Sequence, residues 1–344
     1  MSLMKRMRLV ELGRFEEEEV EIPFLQKDEV LIKVKKVGVC GTDISAYYGK
    51  HPYIKVPIVL GHEFAGIVEG VGDGVEGIDL GTKVTVLPHL GCGICSACKS
   101  ETYNYCEDLK CIGCQSVGAH AQYIAVPAYT IFKLPDSMPL EQGAFVEPAS
   151  VAYHGIKRGI KAGDNVLVMG SGPIGIFALQ SAFVLGASRI LIADIKEERL
   201  NLAKSLNECD TINLSKESIE NGLGRILGNA KYIDFFCDCV GGNGLVLDTI
   251  IKIARRGTRI TCIGIIGNEY CIPHLPDIIE HELTVFGSSM YIPQDFKDVI
   301  DLMVKGKIKT DGMVTHRYNL EDILKMYEMI EGKQEDFFKI LINI

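Results

Sequence analysis

The stretch from Asn165 to Asp194 limits what this chain can fold into more than any other. Asn165-Val166-Leu167-Val168-Met169 is a short apolar run, Gly170-Ser171-Gly172-Pro173-Ile174-Gly175 follows at once, residues 176–186 form a helix-length apolar segment, and Arg189 to Ala193 ends in Asp194. A run this short, closed by glycines, reads as a parallel strand buried on both faces. The glycines allow a tight turn, close approach of a phosphate and close packing of the following helix on the strand, whose N-terminus then faces a pyrophosphate. Asp194, nineteen residues after Gly175, stands where a carboxylate meets the adenosine ribose. NAD is therefore the expected cofactor, with Gly170, Gly172, Pro173, Ile174, Gly175 and Asp194 as its binding residues; Lys339, far downstream, is grouped with them. Residues 165–188 carry no charge and are long enough to cross a bilayer, but the glycine turn and the proline divide them into a strand and a helix, so no membrane span is expected.

A second constellation points to a metal. Gly61-His62-Glu63-Phe64-Ala65-Gly66 is read together with Cys40-Gly41-Thr42-Asp43 and Val146-Glu147-Pro148. One thiolate, one imidazole and two carboxylates can supply three ligands to a tetrahedral zinc and leave a position open. The apolar run Val56 to Leu60 is expected to deliver His62 and Glu63 from a strand end, with glycines at 61, 66, 70 and 72 letting the backbone crowd the site. The competing reading makes His62 a satisfied core histidine and Cys40 an inert thiol.

Cys92, Cys95 and Cys98 recur every three residues and Cys106 follows eight later, set in polar sequence. Four thiols in one lobe can close a structural zinc site. Cys111-x-x-Cys114 has no evident partner pair, so its expected role is structural. Twelve cysteines without a signal peptide suggest a cytoplasmic chain whose thiols bind metal or pack inside. With 36 basic and 45 acidic residues the net charge is -9, and no basic cluster offsets it, which argues against nucleic acid. Met1-Ser2-Leu3 is set aside as a leader left by cloning.

In chain order, strands are expected at Met4–Val10, Glu16–Ile22, Glu29–Val37, Gly66–Val71 and Lys83–Leu87, with a short helix from Asp43 to Tyr48. After residue 153 strands and helices alternate: strands at Tyr232–Cys239, Thr258–Ile265 and Leu283–Gly287, helices from Gly241 to Ala254 and from Pro293 to Lys305. Leu320–Ile330 should be a helix and Phe337–Ile344 a strand.

On the Gly61-His62-Glu63-x-x-Gly66 motif with Gly72 and Val75, the four-cysteine lobe and the 170–175 fingerprint with Asp194, the chain resembles the zinc-dependent medium-chain dehydrogenase family over its whole length. It is most similar to the polyol (sorbitol) and threonine dehydrogenase branch, because Glu147-Pro148 stands where many simple alcohol dehydrogenases carry a zinc cysteine. The resemblance implies an α/β protein: a Rossmann doubly wound parallel sheet over 153–288, and a β-rich GroES-like catalytic domain over 1–152 and 289–344, with a structural zinc lobe at about 89–110. It implies two zinc ions per chain, one catalytic and one structural, with Cys40, His62, Glu63 and Glu147 at the first and Cys92, Cys95, Cys98 and Cys106 at the second. Thr42 would take the alcohol proton and Asp43 would hold the second nitrogen of His62. The expected activity is hydride transfer from a polyol or secondary alcohol, free or phosphorylated, to NAD, by a homodimer or homotetramer. A threonine-type or simple alcohol dehydrogenase is the nearest alternative; a silent NAD-binding protein would be expected to have lost a ligand or Thr42.

Some positions depart from the family. Ser45 replaces a histidine that ends the proton relay in several relatives, and Met290 precedes Tyr291 where sorbitol dehydrogenases tend to carry arginine. Gly118-Ala119-His120-Ala121-Gln122-Tyr123 replaces a commoner Gly-Gly-x-Ala-Glu-Tyr, its histidine being read as structural. Lys50, His51 and Lys55 form a basic loop near the expected pocket mouth, read as solvated.

Overall fold

A computed structural model describes residues 2–228, 233–265 and 274–344. Tyr232, the expected start of one strand, lies outside the described residues. The chain divides into two compact units, one of residues 1–147, 292–304 and 314–344, the other of 148–291 and 305–313.

The first unit is built on a seven-stranded sheet. Its path runs Val314–Asn319, Lys339–Asn343, Glu29–Gly38, Glu63–Val71, Lys83–Val86 and Ile131–Lys133, and Tyr123–Pro127 also pairs with Glu29–Gly38. Alternate residues Val30, Ile32 and Val34 point into the core with Phe64, Val68 and Val84, and Tyr327 and Met326 of the helix Ile323–Gly332 join the same cluster. Period-two alternation buries one face of each strand, which is why these segments were readable as strands. Leu3–Glu11 and Arg14–Glu21 form a separate antiparallel pair.

Val56 to Leu60, expected to be a strand, is not one. Only Ile58 pairs, exchanging backbone bonds with Leu9 at 2.8 and 2.9 Å. Pro57 has no N–H to give to a ladder. The strand begins instead at Glu63, so His62 stands immediately before it and Glu63 is its first residue.

The second unit is a six-stranded parallel sheet. Its order is Asp210–Asn213, Arg189–Asp194, Asn165–Met169, Phe235–Asp238, Arg259–Cys262 and Thr284–Gly287. The order reverses beside Asn165–Met169, the switch point at which a doubly wound sheet takes its ligand. Pro173–Val184, Glu197–Leu206, Ile219–Leu227 and Leu245–Ile253 are its main helices. No helix among the described residues is long and apolar enough to cross a membrane.

Candidate active site and metal centres

The three ligand atoms offered by Cys40, His62 and Glu63 lie within 4.8 Å of one another. Strand pairing brings them together: Gly38 is the register partner of Glu63, and Cys40 follows two residues later as N-cap of the helix Gly41–Tyr47. Asp43, fully buried in that helix's first turn, accepts the Cys40 N–H on Oδ2 at 2.9 Å. Its Oδ1 is 3.7 Å from His62 Nδ1, and neither atom has another hydrogen-bond partner among the described residues. Two orphaned buried atoms facing each other suit the arrangement in which a carboxylate holds the second nitrogen of a metal-binding imidazole. Burial alone would lower the His62 pKa, but Asp43, then Cys40 and the nearby Cys114, hold it well above its usual value. A buried site this attractive to a positive charge suits a divalent cation. Thr42, half-buried, lies next to Asp43 on the same turn.

Glu147 is not part of that three-atom cluster. It is buried in the first turn of the helix Val146–Lys157, close enough for its charge to act on Cys111 and Lys339.

Lys339, grouped with the cofactor residues on sequence, is engaged elsewhere. Its ammonium is ion-paired with Glu63 Oε2, and both side chains are buried. Glu29–Gly38 runs between the strands that carry them, and Gly38 leaves the gap: a Cβ there would strike Glu63 Oε2 and lie 3.1 Å from Lys339 Cε. Burial would drive the lysine proton off; Glu63 opposes this and raises the Lys339 pKa. This pairing was not visible in the sequence, where 276 residues separate the partners.

Two further groups reach the site unannounced. The thiols Cys111 and Cys114 are buried near one another, and Cys114 lies within electrostatic reach of His62. The neighbouring Cys111, with His62, lowers Cys114 to about 5, while Cys111 is raised well above the thiol range. His51 departs from its expected place on a solvated loop: burial lowers its pKa, and it lies within electrostatic reach of Cys114, His62 and Asp43. Lys50 and Lys55 of the same loop are exposed. The spacing of Cys111 and Cys114 was the only sequence signal for either group.

Cys92, Cys95, Cys98 and Cys106 also offer sulfurs within 4.8 Å of one another. Cys92 and Cys98 Sγ are 3.9 Å apart, against about 3.8 Å between sulfurs of a tetrahedral zinc with bonds of about 2.3 Å. The amides of Ile94 and Cys95 lower Cys92 to about 7, whereas burial pushes Cys98 up to about 12. Gly91 has no room for a side chain, since a Cβ would sit 2.6 Å from Cys98 Sγ. The donor set fits zinc.

In the second unit, Gly170 has φ +91°, a conformation open to glycine, and a Cβ at Gly175 would run into the Gly170 carbonyl. Gly172 is the N-cap of the twelve-residue helix Pro173–Val184, which begins with Pro173 and Ile174 and has no side-chain cap. A Cβ at Gly172 would meet only the Arg199 guanidinium, at 3.9 Å. Open space before uncapped first-turn amides suits an anionic phosphate. Asp194, buried at the end of its strand, accepts the Ser171 N–H on Oδ2 at 2.7 Å and the Lys196 N–H on Oδ1 at 2.9 Å. A carboxylate has about four acceptor positions, so these two bonds leave room for ribose hydroxyls.

Residues 26–136 match the alcohol dehydrogenase GroES-like domain and residues 173–305 the zinc-binding dehydrogenase domain. The chain is 34% identical over 312 residues to the L-galactonate-5-dehydrogenase of Escherichia coli (strain K12), covering 90% of this chain and 89% of that protein. It is 30% identical to the sorbitol dehydrogenase of Bacillus subtilis (strain 168), covering 94% and 93%. Among solved structures, a zinc-binding dehydrogenase from Sinorhizobium meliloti 1021 bound to NADP superposes with a TM-score of 0.92 at 30% identity, covering 100% of both chains. With the metal-ligand cluster, the four-cysteine lobe and the glycine turn in place, the chain belongs to the zinc-dependent medium-chain dehydrogenase family, in its polyol and threonine dehydrogenase branch.

Proposed function

We propose that this protein oxidises a secondary hydroxyl of a polyol or sugar-derived alcohol, passing the hydride to NAD. The observation that carries the reading is the cluster of Cys40, His62 and Glu63 backed by Asp43. Zinc bound there lowers the pKa of an alcohol oxygen as a Lewis acid, and a bound nicotinamide accepts the hydride. Cys40 and His62 hold the metal, and Asp43 fixes the imidazole tautomer. Glu63 would serve as third ligand with Lys339 balancing its charge, and Glu147 would supply the site's second carboxylate. The Thr42 hydroxyl would take the substrate proton as it passes its own on toward solvent. Cys92, Cys95, Cys98 and Cys106 hold a second, structural zinc, giving two per chain.

Polyols are favoured because the relatives above carry L-galactonate and sorbitol in their names. NAD is favoured over NADP by Asp194, whose carboxylate repels a 2′-phosphate, although a similar chain binds NADP and Arg199 lies near Gly172. The reading includes a cytoplasmic homodimer or homotetramer, supported by the resemblance and by unpaired cysteines throughout the described residues. The domain division of the family, 1–152 with 289–344 around 153–288, is kept as part of it.

The test is formation of reduced nicotinamide, followed by absorbance, with zinc-loaded protein, NAD⁺ and a panel of free and phosphorylated polyols, sugar acids, L-threonine and simple alcohols. Turnover of polyols or sugar acids with the highest kcat/KM is expected. Preference for L-threonine or a simple alcohol would overturn the substrate class, and no turnover of any alcohol would overturn the activity.

A further inference from the structure

We propose that Cys111 and Cys114 form a reversible redox-modification site, a dithiol that a peroxide converts to a disulfide, set against the histidine of the metal-ligand cluster. Its coupling to activity rests on the reading of His62 as a metal ligand; formation of the disulfide does not.

Residues 111–114 make a tight turn in which the Cys114 N–H donates to the Cys111 carbonyl at 3.0 Å, with Gly113 at φ +78°. The ends of a β-turn lie within about 7 Å between Cα atoms, and a disulfide needs about 4.4–6.8 Å. Both thiols are unpaired. The backbone therefore already holds the two residues at a Cα separation that a disulfide can span. Both are buried, at 5% and 7% exposure, which admits a small peroxide and excludes a bulky disulfide reagent.

The turn is fastened to the segment that carries His62. Gly118 N–H donates to Val59 O at 2.8 Å, Ala119 N–H to Gly61 O at 2.9 Å and His120 N–H to Leu60 O at 2.9 Å. A Cβ at Gly113 would lie 2.6 Å from Gly61 O, so the turn rests on the backbone of the residue before His62. Drawing the Cys114 sulfur toward Cys111 therefore shifts a turn that is fastened to the segment carrying His62.

The chemistry balances with one peroxide. Cys111 Sγ–H donates to Ile112 O at 3.4 Å, leaving Cys114 as the attacking sulfur. Cys114 attacks a peroxide oxygen and the O–O bond breaks, giving a sulfenic acid on Cys114 and one water. The Cys111 sulfur then attacks the sulfenic sulfur, the S–S bond forms, and the hydroxyl leaves with the Cys111 proton as a second water. The two thiols lose two electrons and two protons to the peroxide.

Trypsin releases residues 111–133 as one peptide with no other cysteine, so the site can be read alone. Zinc-loaded full-length protein is treated with hydrogen peroxide, one portion is assayed for kcat/KM, and the other is unfolded in denaturant, alkylated, digested and weighed. The peptide should appear unalkylated and two hydrogens below its dithiol mass. kcat/KM should fall roughly 10–100-fold, the range for groups that orient a metal ligand, and dithiothreitol should restore both. Cys111→Ser should start with ordinary activity, gain oxygen on Cys114 instead, and lose the reversible component. A peptide that stays fully alkylated at a dose that oxidises a small-molecule thiol completely would overturn the site. A disulfide that leaves kcat/KM unchanged would overturn its coupling to the metal ligand. Should no alcohol be turned over, the proposed activity fails separately: the mass shift still decides the site, and bound zinc before and after peroxide replaces kcat/KM, with a constant content overturning the coupling.

Discussion

Replacing Lys339 with Met tests whether Glu63 depends on its buried partner. At a hydrogen-bonded separation of about 3 Å and an effective dielectric of about 20, the attraction between the two charges is about 5–6 kcal/mol, most of it offset by their desolvation. Both side chains are at most 4% exposed, so solvent screening does not discount the loss. Removing the lysine strands a buried carboxylate, at a cost of about 3–5 kcal/mol. A carboxylate can escape by taking up a proton, which at pH 7 costs about 3–4 kcal/mol from the ordinary glutamate pKa of about 4.3. That escape sets a ceiling and gives the penalty a pH signature: it should shrink by about 1.4 kcal/mol per unit as pH falls, to about 1 kcal/mol at pH 5. The assay is urea unfolding followed by circular dichroism, on protein whose open metal site has been emptied with a weak chelator. Returning zinc should narrow the gap, because the dication supplies the charge the lysine supplied. The double variant Lys339→Met, Glu63→Gln should recover most of the loss and show no pH slope. A Lys339→Met penalty below about 1 kcal/mol at pH 7, or one independent of pH, would refute the reasoning.

Further outcomes are expected. His120 is fully buried with neither ring nitrogen hydrogen-bonded among the described residues, and burial, with His62 adding to it, lowers its pKa to about 4. The unfolded chain therefore binds a proton that the folded one refuses, so stability is fully present above pH 6.5 and falls by about 3 kcal/mol as pH drops to 4; His120→Phe should flatten that limb in urea titrations. Metal analysis should find two zinc ions per chain, with a chelator removing first the one held by Cys40 and His62, since the four-cysteine site is closed; one zinc in undamaged protein would contradict this. Asp194→Ala should narrow the preference for NAD mainly by raising KM for NAD⁺, and a wild-type kcat/KM for NADP⁺ equal to that for NAD⁺ would remove the basis of the assignment.

What could be read from the sequence was local. Strand, glycine turn, helix and acid follow one another between Asn165 and Asp194, and each step is set by neighbouring residues: glycine where φ is positive or a carbonyl leaves no room, Pro173 where a helix begins. Cys92 to Cys106 is legible for the same reason, because fifteen residues of chain suffice to bring four sulfurs together. Tertiary structure decided the rest. Lys339 meets Glu63 only because the last strand pairs with Glu29–Gly38 and Gly38 leaves a gap between them. Cys111 and Cys114 reach His62 only because the segment 118–120 bonds to residues 59–61. Val56 to Leu60 looked like a strand because its apolar residues are right for one, but a ladder needs a donor at each step, which Pro57 lacks, and only Ile58 is bridged to a neighbouring strand. Periodicity reports which face of a segment is buried; which distant residue lies against that face depends on sheet order and register, which no short window of sequence contains.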